Sequence, residues 1–118
     1  MKFLTPLKVE YYRKEDGVKY YLLHKPLIIE IDNQRITVPV GFKTDLASIP
    51  YPLSKWIKPK NKLYIKSVVV HDYLYSNRVN RLKADNIMIE CMIEENTPLR
   101  YRVSFYLAVR LFGWVRLL

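Results

Sequence analysis

Strand-like and helix-like segments occupy opposite halves of this chain. Up to residue 42, short runs rich in Tyr, Val, Leu and Ile are separated by turn residues, whereas after residue 62 apolar residues recur at helical spacing over longer stretches. A chain in which strands come first and helices follow folds as an α+β protein. We therefore predict a small antiparallel β-meander of about four strands, followed by a short helix and three α-helices.

Turn residues divide the first half into strands. The pair Asp16 and Gly17 separates two runs rich in Tyr, Val and Leu, which is typical of a β-hairpin. A second turn is predicted at Asp32 and Asn33, and Pro26 interrupts the apolar pattern because proline cannot donate to a strand ladder. The predicted strands are residues 7–12, 18–23, 27–31 and 35–38.

Helical patterns dominate the second half. Its three predicted helices cover residues 63 to about 76, 82 to about 95 and 98 to about 112. The last helix has the clearest start, because Thr97 is a favourable N-cap residue and Pro98 is tolerated in the first turn. Gly113 is a suitable end.

Length and composition predict one domain. The 118 residues, half of them hydrophobic, can build one core but not two. We assign 1–42 mainly to strands, 43–62 to a loop and short helix, and 63–118 to helices. The single Cys91 cannot form an internal disulfide, and we expect neither a membrane span nor a secretory signal. The default location is the cytoplasm, or a particle into which the protein is built.

A histidine and several acids interrupt the apolar pattern of the first two predicted helices. His71, Asp72 and Tyr75 follow Val68 at i+3, i+4 and i+7, on one side of the first helix, and Asp85 lies near the start of the second. Ionisable groups are costly in an apolar helix pair unless they bond to one another, and a histidine beside carboxylates can act as a base. The candidate catalytic residues are therefore His71, Asp85, Asp72 and Tyr75.

These residues also have a structural explanation. A His-Asp pair can be a hydrogen-bonded packing element, and Asp85 is an acid that the dipole of its helix favours. The set would then be a buried polar network that determines how the helices meet.

The loop after Gly41 offers a second group of polar residues. Thr44, Asp45 and Ser48 are candidate binding residues, and Asp45 with Asp72 could supply oxygen ligands to a hard cation such as calcium or magnesium. The alternative is an Asx-type turn or a helix cap.

The net charge of +9 predicts an acidic partner or DNA. No recognised nucleic-acid motif accompanies the charge, so an ordinary solvated surface is the alternative. Arg110 is also a candidate binding residue, and the basic residues fall into two zones, Lys55, Lys58, Lys60 and Lys62, and then Arg100, Arg102, Arg110 and Arg116.

Four separated blocks of the sequence carry a family resemblance. The blocks are residues 40–50, 70–75, 84–85 and 106–113. Together they resemble a bacteriophage and prophage family, the domain of unknown function numbered 1353. The resemblance implies a protein of phage or prophage origin, located in the host cytoplasm or the virion and interacting with other phage proteins. It implies no activity.

A looser resemblance is to the catalytic helix of secretory phospholipases A₂. The motif His71-Asp72-x-x-Tyr75, followed by Asp85, matches in spacing and order. It implies His71 as the base that deprotonates water, Asp85 as its orienting acid and Asp72 as a calcium ligand. This chain lacks the glycine-rich calcium loop and the disulfide framework of those enzymes.

Three functions are compatible with these patterns. The first is a non-enzymatic phage accessory protein or structural protein of the virion or tail. The second is a small hydrolase of an ester or cell-envelope bond, with His71 as base, Asp85 as orienter and a divalent cation at Asp45 and Asp72. The third is a basic nucleic-acid-binding protein.

Overall fold

The computed structural model describes residues 1–46 and 63–112, in six strands and three helices. The predicted short helix, Ser48, the four lysines of the first basic zone and Arg116 lie outside these residues. The strands are β1 Lys2–Phe3, β2 Val9–Glu15, β3 Val18–Leu23, β4 Leu27–Ile31, β5 Gln34–Val38 and β6 Lys43–Thr44. The helices are α1 Ile65–Ser76, α2 Arg81–Glu94 and α3 Leu99–Phe112.

Both predicted hairpins are present, and the α+β class is confirmed. Asp16 and Gly17 adopt φ of 48° and 81° between β2 and β3, and Asp32 and Asn33 adopt φ of 50° and 61° between β4 and β5. Positive φ at both central residues is what a tight two-residue hairpin requires. Because the first turn is so short, β2 pairs as far as Glu15, beyond its predicted end.

The strands form two three-stranded sheets rather than one continuous meander. β6 pairs with β3 in one sheet, and β1 pairs with β4 in the other. The edge of β3 that a meander would offer to β4 is therefore occupied by β6. The two-residue strands β1 and β6 were not predicted, because segments this short carry little periodicity.

The three helices begin and end within about two residues of their predicted bounds. Asn80 caps α2 by accepting a hydrogen bond from the amide of Lys83 at 3.1 Å. At α3 the Pro98 carbonyl accepts the amide of Arg102, while the hydroxyl of Thr97 donates to the carbonyl of Leu63. Thr97 thus joins the start of α3 to the segment before α1.

Two apolar clusters hold these elements together. The larger joins both sheets to α1 and α2 and includes Leu27, Ile29 and Val69, which are fully buried. Burial of such a side chain contributes about 1.5–3 kcal/mol. The second cluster fixes α3 against the other two helices through Tyr64, Val68, Met88, Met92, Tyr101 and Phe105.

Among the described residues, no helix is long and apolar enough to cross a membrane.

Candidate functional site

Asp85 is the centre of a buried polar cluster. Its side chain is fully buried in the second turn of α2. Oδ1 lies 2.7 Å from Nε2 of His71 and accepts the hydroxyl of Tyr75 at 2.6 Å. Oδ2 accepts Nη1 of Arg110 at 2.9 Å. One carboxylate therefore joins side chains from all three helices, and we call His71, Tyr75, Asp85 and Arg110 the Asp85 cluster.

Helix geometry explains how the first three members meet. His71 and Tyr75 are one turn apart on α1, with ring centroids 4.1 Å apart. The connection to α2 is short, so the two helices fold back on each other and Asp85 faces both rings. The structure thus brings together three of the four candidate catalytic residues. Their catalytic role stays a prediction.

The contact between Arg110 and Asp85 was not predicted from the sequence. Arg110 was predicted as a binding residue of a basic surface, but its guanidinium binds Asp85, and its side chain is about one-third exposed. A buried carboxylate is costly without a charged or hydrogen-bonding partner, so the sequence could have predicted that Asp85 binds a cationic side chain. Residues 98–112 contain no acid, so Arg110 could not pair with an acid of its own helix. The sequence did not show which of the several arginines would pair with Asp85.

Burial and hydrogen bonding oppose each other at Asp85. Burial raises the pKa of its carboxyl, but the hydrogen bonds from His71, Tyr75 and Arg110 outweigh this effect and hold the pKa below its usual range. Burial and the bond to Asp85 raise the pKa of Tyr75 to about 12, against the opposing effect of Arg81. At neutral pH the cluster therefore contains an ionised Asp85, a neutral Tyr75 and a charged Arg110.

Arg81 adds a further link beside the cluster. Its Nη2 lies 3.2 Å from the carbonyl oxygen of Val109 and 3.1 Å from that of Arg110. These carbonyls belong to the last turn of α3, where backbone acceptors lack partners within the helix. The first turn of α2 thus caps the end of α3.

The cluster is closed to solvent on the α1 and α2 side. His71 is 2% exposed and Asp85 is 0% exposed. A general base must reach its substrate or a water molecule within hydrogen-bond distance. Because the imidazole of His71 is almost completely buried, this conformation does not present it to solvent as a base.

The structure describes three of the predicted cation and loop residues, Thr44, Asp45 and Asp72. Thr44 is buried, and its hydroxyl accepts the amide of Leu46 at 3.1 Å, a threonine turn that resembles the Asx-type turn given as the alternative but uses a hydroxyl instead of a carboxylate. Asp45 and Asp72 are half-buried. Within 1–46 and 63–112, no group of three His, Cys, Asp or Glu side chains could hold a metal ion. A calcium or magnesium site at Asp45 and Asp72 stays a prediction.

Glu95 is a second carboxylate that bonds to α1; it is half-buried, and it was not predicted from the sequence. It follows α2, and Oε1 accepts the amide and hydroxyl of Ser67 at 2.7 and 2.5 Å, while Oε2 accepts the amide of Lys66 at 3.3 Å. These donors form the first turn of α1, which has no acid of its own. Because an acid at this helix end is favourable, its absence from α1 could have predicted that an acid from elsewhere in the chain binds there. Burial raises the pKa of Glu95 despite these bonds.

The described part of the second basic zone does not act as one surface. Arg102 is half-buried and its Nε donates to the carbonyl of Thr97 at 3.2 Å, while Arg110 binds Asp85. Arg100 is exposed, with its guanidinium carbon 5.0 Å from the centre of the Tyr101 ring. Only part of this zone is therefore available to a partner.

One comparison with known proteins identifies a family, and that family has no assigned function. No curated protein and no solved structure matches the chain. A family model described as a protein of unknown function, DUF1353, matches residues 21–109, a range that includes His71, Tyr75 and Asp85 and ends next to Arg110. The match spans well over half of the chain, so this protein belongs to the DUF1353 family.

Proposed function

We propose that this protein is a non-enzymatic accessory or structural protein of a bacteriophage or prophage, a component of the virion or tail that binds other phage proteins. The burial of the Asp85 cluster carries the proposal. His71 and Asp85, the two residues on which a catalytic role would depend, are 2% and 0% exposed and bond to each other.

The contacts of the cluster suit a structural role. Asp85 on α2 bonds to two residues of α1 and one of α3, so a single carboxylate holds three helices in register. Removing one partner of such a buried charged group commonly costs about 3–5 kcal/mol, because the remaining charge is left unpaired. A set like this specifies how helices meet without any chemistry on a substrate.

The phage origin rests on the sequence blocks that resemble the bacteriophage and prophage family. For a protein of that origin we expect a location in the host cytoplasm during assembly or in the virion afterwards. The large positive charge supports contact with acidic partners in either location.

Particle association tests the proposal. A tagged protein would be followed through density-gradient purification of particles from induced cells, with an unrelated tagged protein of similar size as control. We expect it in the particle fractions or, as an assembly factor, crosslinked to a phage protein in the lysate. Its absence from both would overturn the proposal.

The hydrolase is the second candidate, because one observation favours it. The 2.7 Å contact between Nε2 of His71 and Asp85 is the arrangement in which a carboxylate orients a base. His71→Gln and Asp85→Asn would be assayed on esters and envelope fragments, with unfolding measured in parallel. Activity in the wild type that His71→Gln abolishes, while the variant stays folded, would establish the hydrolase and contradict the structural proposal.

A further inference from the structure

Helix α3 has a second apolar face that the described residues do not cover. Tyr101 and Phe105 are buried in the second apolar cluster. The exposed face repeats every fourth residue, so the four side chains lie in one row along the helix. This stripe consists of Leu99, Val103, Leu107 and Leu111, which are 64%, 48%, 54% and 62% exposed.

A groove runs beside the stripe. It has a volume of about 1200 Å³ and lies between α3, α2 and the β4–β5 hairpin. Leu99, Val103 and Leu107 form one wall, and Ile36 and Leu82 are among the apolar residues of the others. Single exposed apolar residues are ordinary, but a continuous exposed row that borders a groove of this size is typical of a binding surface.

The charges beside the stripe indicate the kind of partner. Residues 98–112 contain three arginines and no acid. At about 100° per residue, Arg100 lies on the same side of the helix as Leu107 and Leu111, two to three turns before them. The groove itself is balanced, because its lining contains two acids and two basic residues, Asp32, Glu90, Lys83 and Arg102. Arg102 is already part of that balance and Arg110 binds Asp85, so the excess charge beside the stripe is the positive charge of Arg100.

A second copy of this chain would be a poor occupant. Pairing of two stripes would bring together two helices that each lack acids, in chains that each have a net charge of +9. Like charges placed opposite one another oppose association and select against that partner.

We infer that the α3 stripe and its groove bind an amphipathic helix of another protein, in which an apolar face is flanked by Asp and Glu. This inference rests on the proposed function, that the protein acts by binding other proteins. The apolar face would lie along Leu99, Val103 and Leu107 and enter the groove, as amphipathic helices do in helix-in-groove complexes. The Asp and Glu side chains of the partner would pair with Arg100, and the net charge of +9 would attract the acidic partner from a distance.

A designed peptide probes this chemistry with the full chain. The probe is a fluorescein-labelled helix as long as α3, 14 residues, with Leu along one face and Glu along its flanks. Two controls are a peptide of the same composition in scrambled order and a peptide with Lys in place of each Glu. We expect fluorescence anisotropy to show binding of the probe that is at least about tenfold tighter than binding of either control.

Matched variants locate the site. Leu107→Gln is compared with Ile93→Gln, because both side chains are 54% exposed and Ile93 on α2 is not part of the groove. Leu107→Gln should weaken binding about tenfold and Ile93→Gln should leave it unchanged. Arg100→Gln should weaken it about threefold, whereas Lys14→Gln, on the exposed part of β2, should not.

The outcomes separate this inference from the proposed function. Equal binding of all three peptides, no binding at all, or a dimer that Leu107→Gln converts to a monomer would each overturn the inference. If the protein is found in particles but the probe does not bind, only the inference fails. If the probe binds as expected but the protein neither enters particles nor crosslinks to phage proteins, only the proposed function fails.

Discussion

Two carboxylates, Asp85, which is fully buried, and Glu95, which is half-buried, connect α2 to α1 through different kinds of hydrogen-bond donor. Asp85 and Glu95 both reach from the region of α2 to α1, Asp85 near its beginning and Glu95 after its end. Asp85 accepts only side-chain donors, one of them the guanidinium of Arg110. Glu95 accepts two backbone amides and one hydroxyl from the first turn of α1.

The difference in donors gives opposite pKa shifts. Burial raises the pKa of both carboxyls, but at Asp85 the hydrogen bonds, including one from Arg110, reverse the shift, while at Glu95 the bonds from Ser67 and Lys66 do not. Asp85 therefore stabilises the fold at pH values above its ordinary pKa of 3.8 and loses that contribution as pH falls through its lower folded value. Glu95 has the opposite effect on stability. Its ionisation destabilises the fold as pH rises from its ordinary pKa of 4.5 through its higher pKa in the folded protein.

The largest effect is expected from Asp85→Ala. It leaves the buried His71 and the guanidinium of Arg110 without their acceptor, so urea denaturation should show a loss of about 3–5 kcal/mol in the free energy of unfolding. Glu90→Ala is the control, because Glu90 is an exposed acid on the same helix. A loss of less than about 1 kcal/mol for Asp85→Ala would show that the cluster does not hold the helices together.

Arg110→Met tests whether the cation lowers the pKa of Asp85. It should cost about 2–3 kcal/mol at neutral pH, since Asp85 keeps its charge but loses its counterion. The difference from the wild type should shrink as pH falls, because without Arg110 the folded variant binds a proton at Asp85 at a higher pH than the folded wild type does. Unfolding at several pH values measures both quantities. With Arg100→Met as the exposed control, a difference that does not change with pH would contradict the account.

A matched pair of hydroxyl deletions sharpens the comparison. Tyr75→Phe removes one donor from Asp85, and Ser67→Ala removes the hydroxyl donor from Glu95. We expect a loss of about 1.5–2 kcal/mol for the first and about 1 kcal/mol for the second, because Glu95 keeps its backbone donors. Thermal unfolding of both variants checks the order. A larger loss for Ser67→Ala would reverse the ranking of the two sites.

Glu95→Gln should have the smallest effect on stability. The amide oxygen of Gln can still accept hydrogen bonds from Ser67, and at acidic pH the carboxyl of Glu95 is itself uncharged. The change in the free energy of unfolding at acidic pH should therefore be within about 1 kcal/mol. Relative to the wild type, the variant should gain stability as pH rises through the range in which Glu95 ionises. Unfolding across the carboxyl pH range tests this, and a relative loss with rising pH would contradict the raised pKa of Glu95.

Prediction from the sequence was best for features that depend on neighbouring residues. The turns at Asp16–Gly17 and Asp32–Asn33 and the three helices were located because their signals lie within a few residues of one another. The sequence placed His71 and Tyr75 one helical turn apart and predicted that α1 and α2 pack antiparallel, but it did not determine that Asp85 lies level with the two rings. Arg110 and Glu95 were not placed, because each bonds to a residue at least 25 positions away.

The sequence by itself determined the α+β class, the two hairpins and the helices, because backbone turns, caps and apolar periodicity are local properties. Tertiary structure alone decided that β6 takes the edge of β3, that Arg110 neutralises Asp85, and that Glu95 caps α1. In each of these cases several groups of suitable chemistry compete for one position. Packing of the whole chain selects among them, because the partner is the group that the surrounding core holds within hydrogen-bond distance.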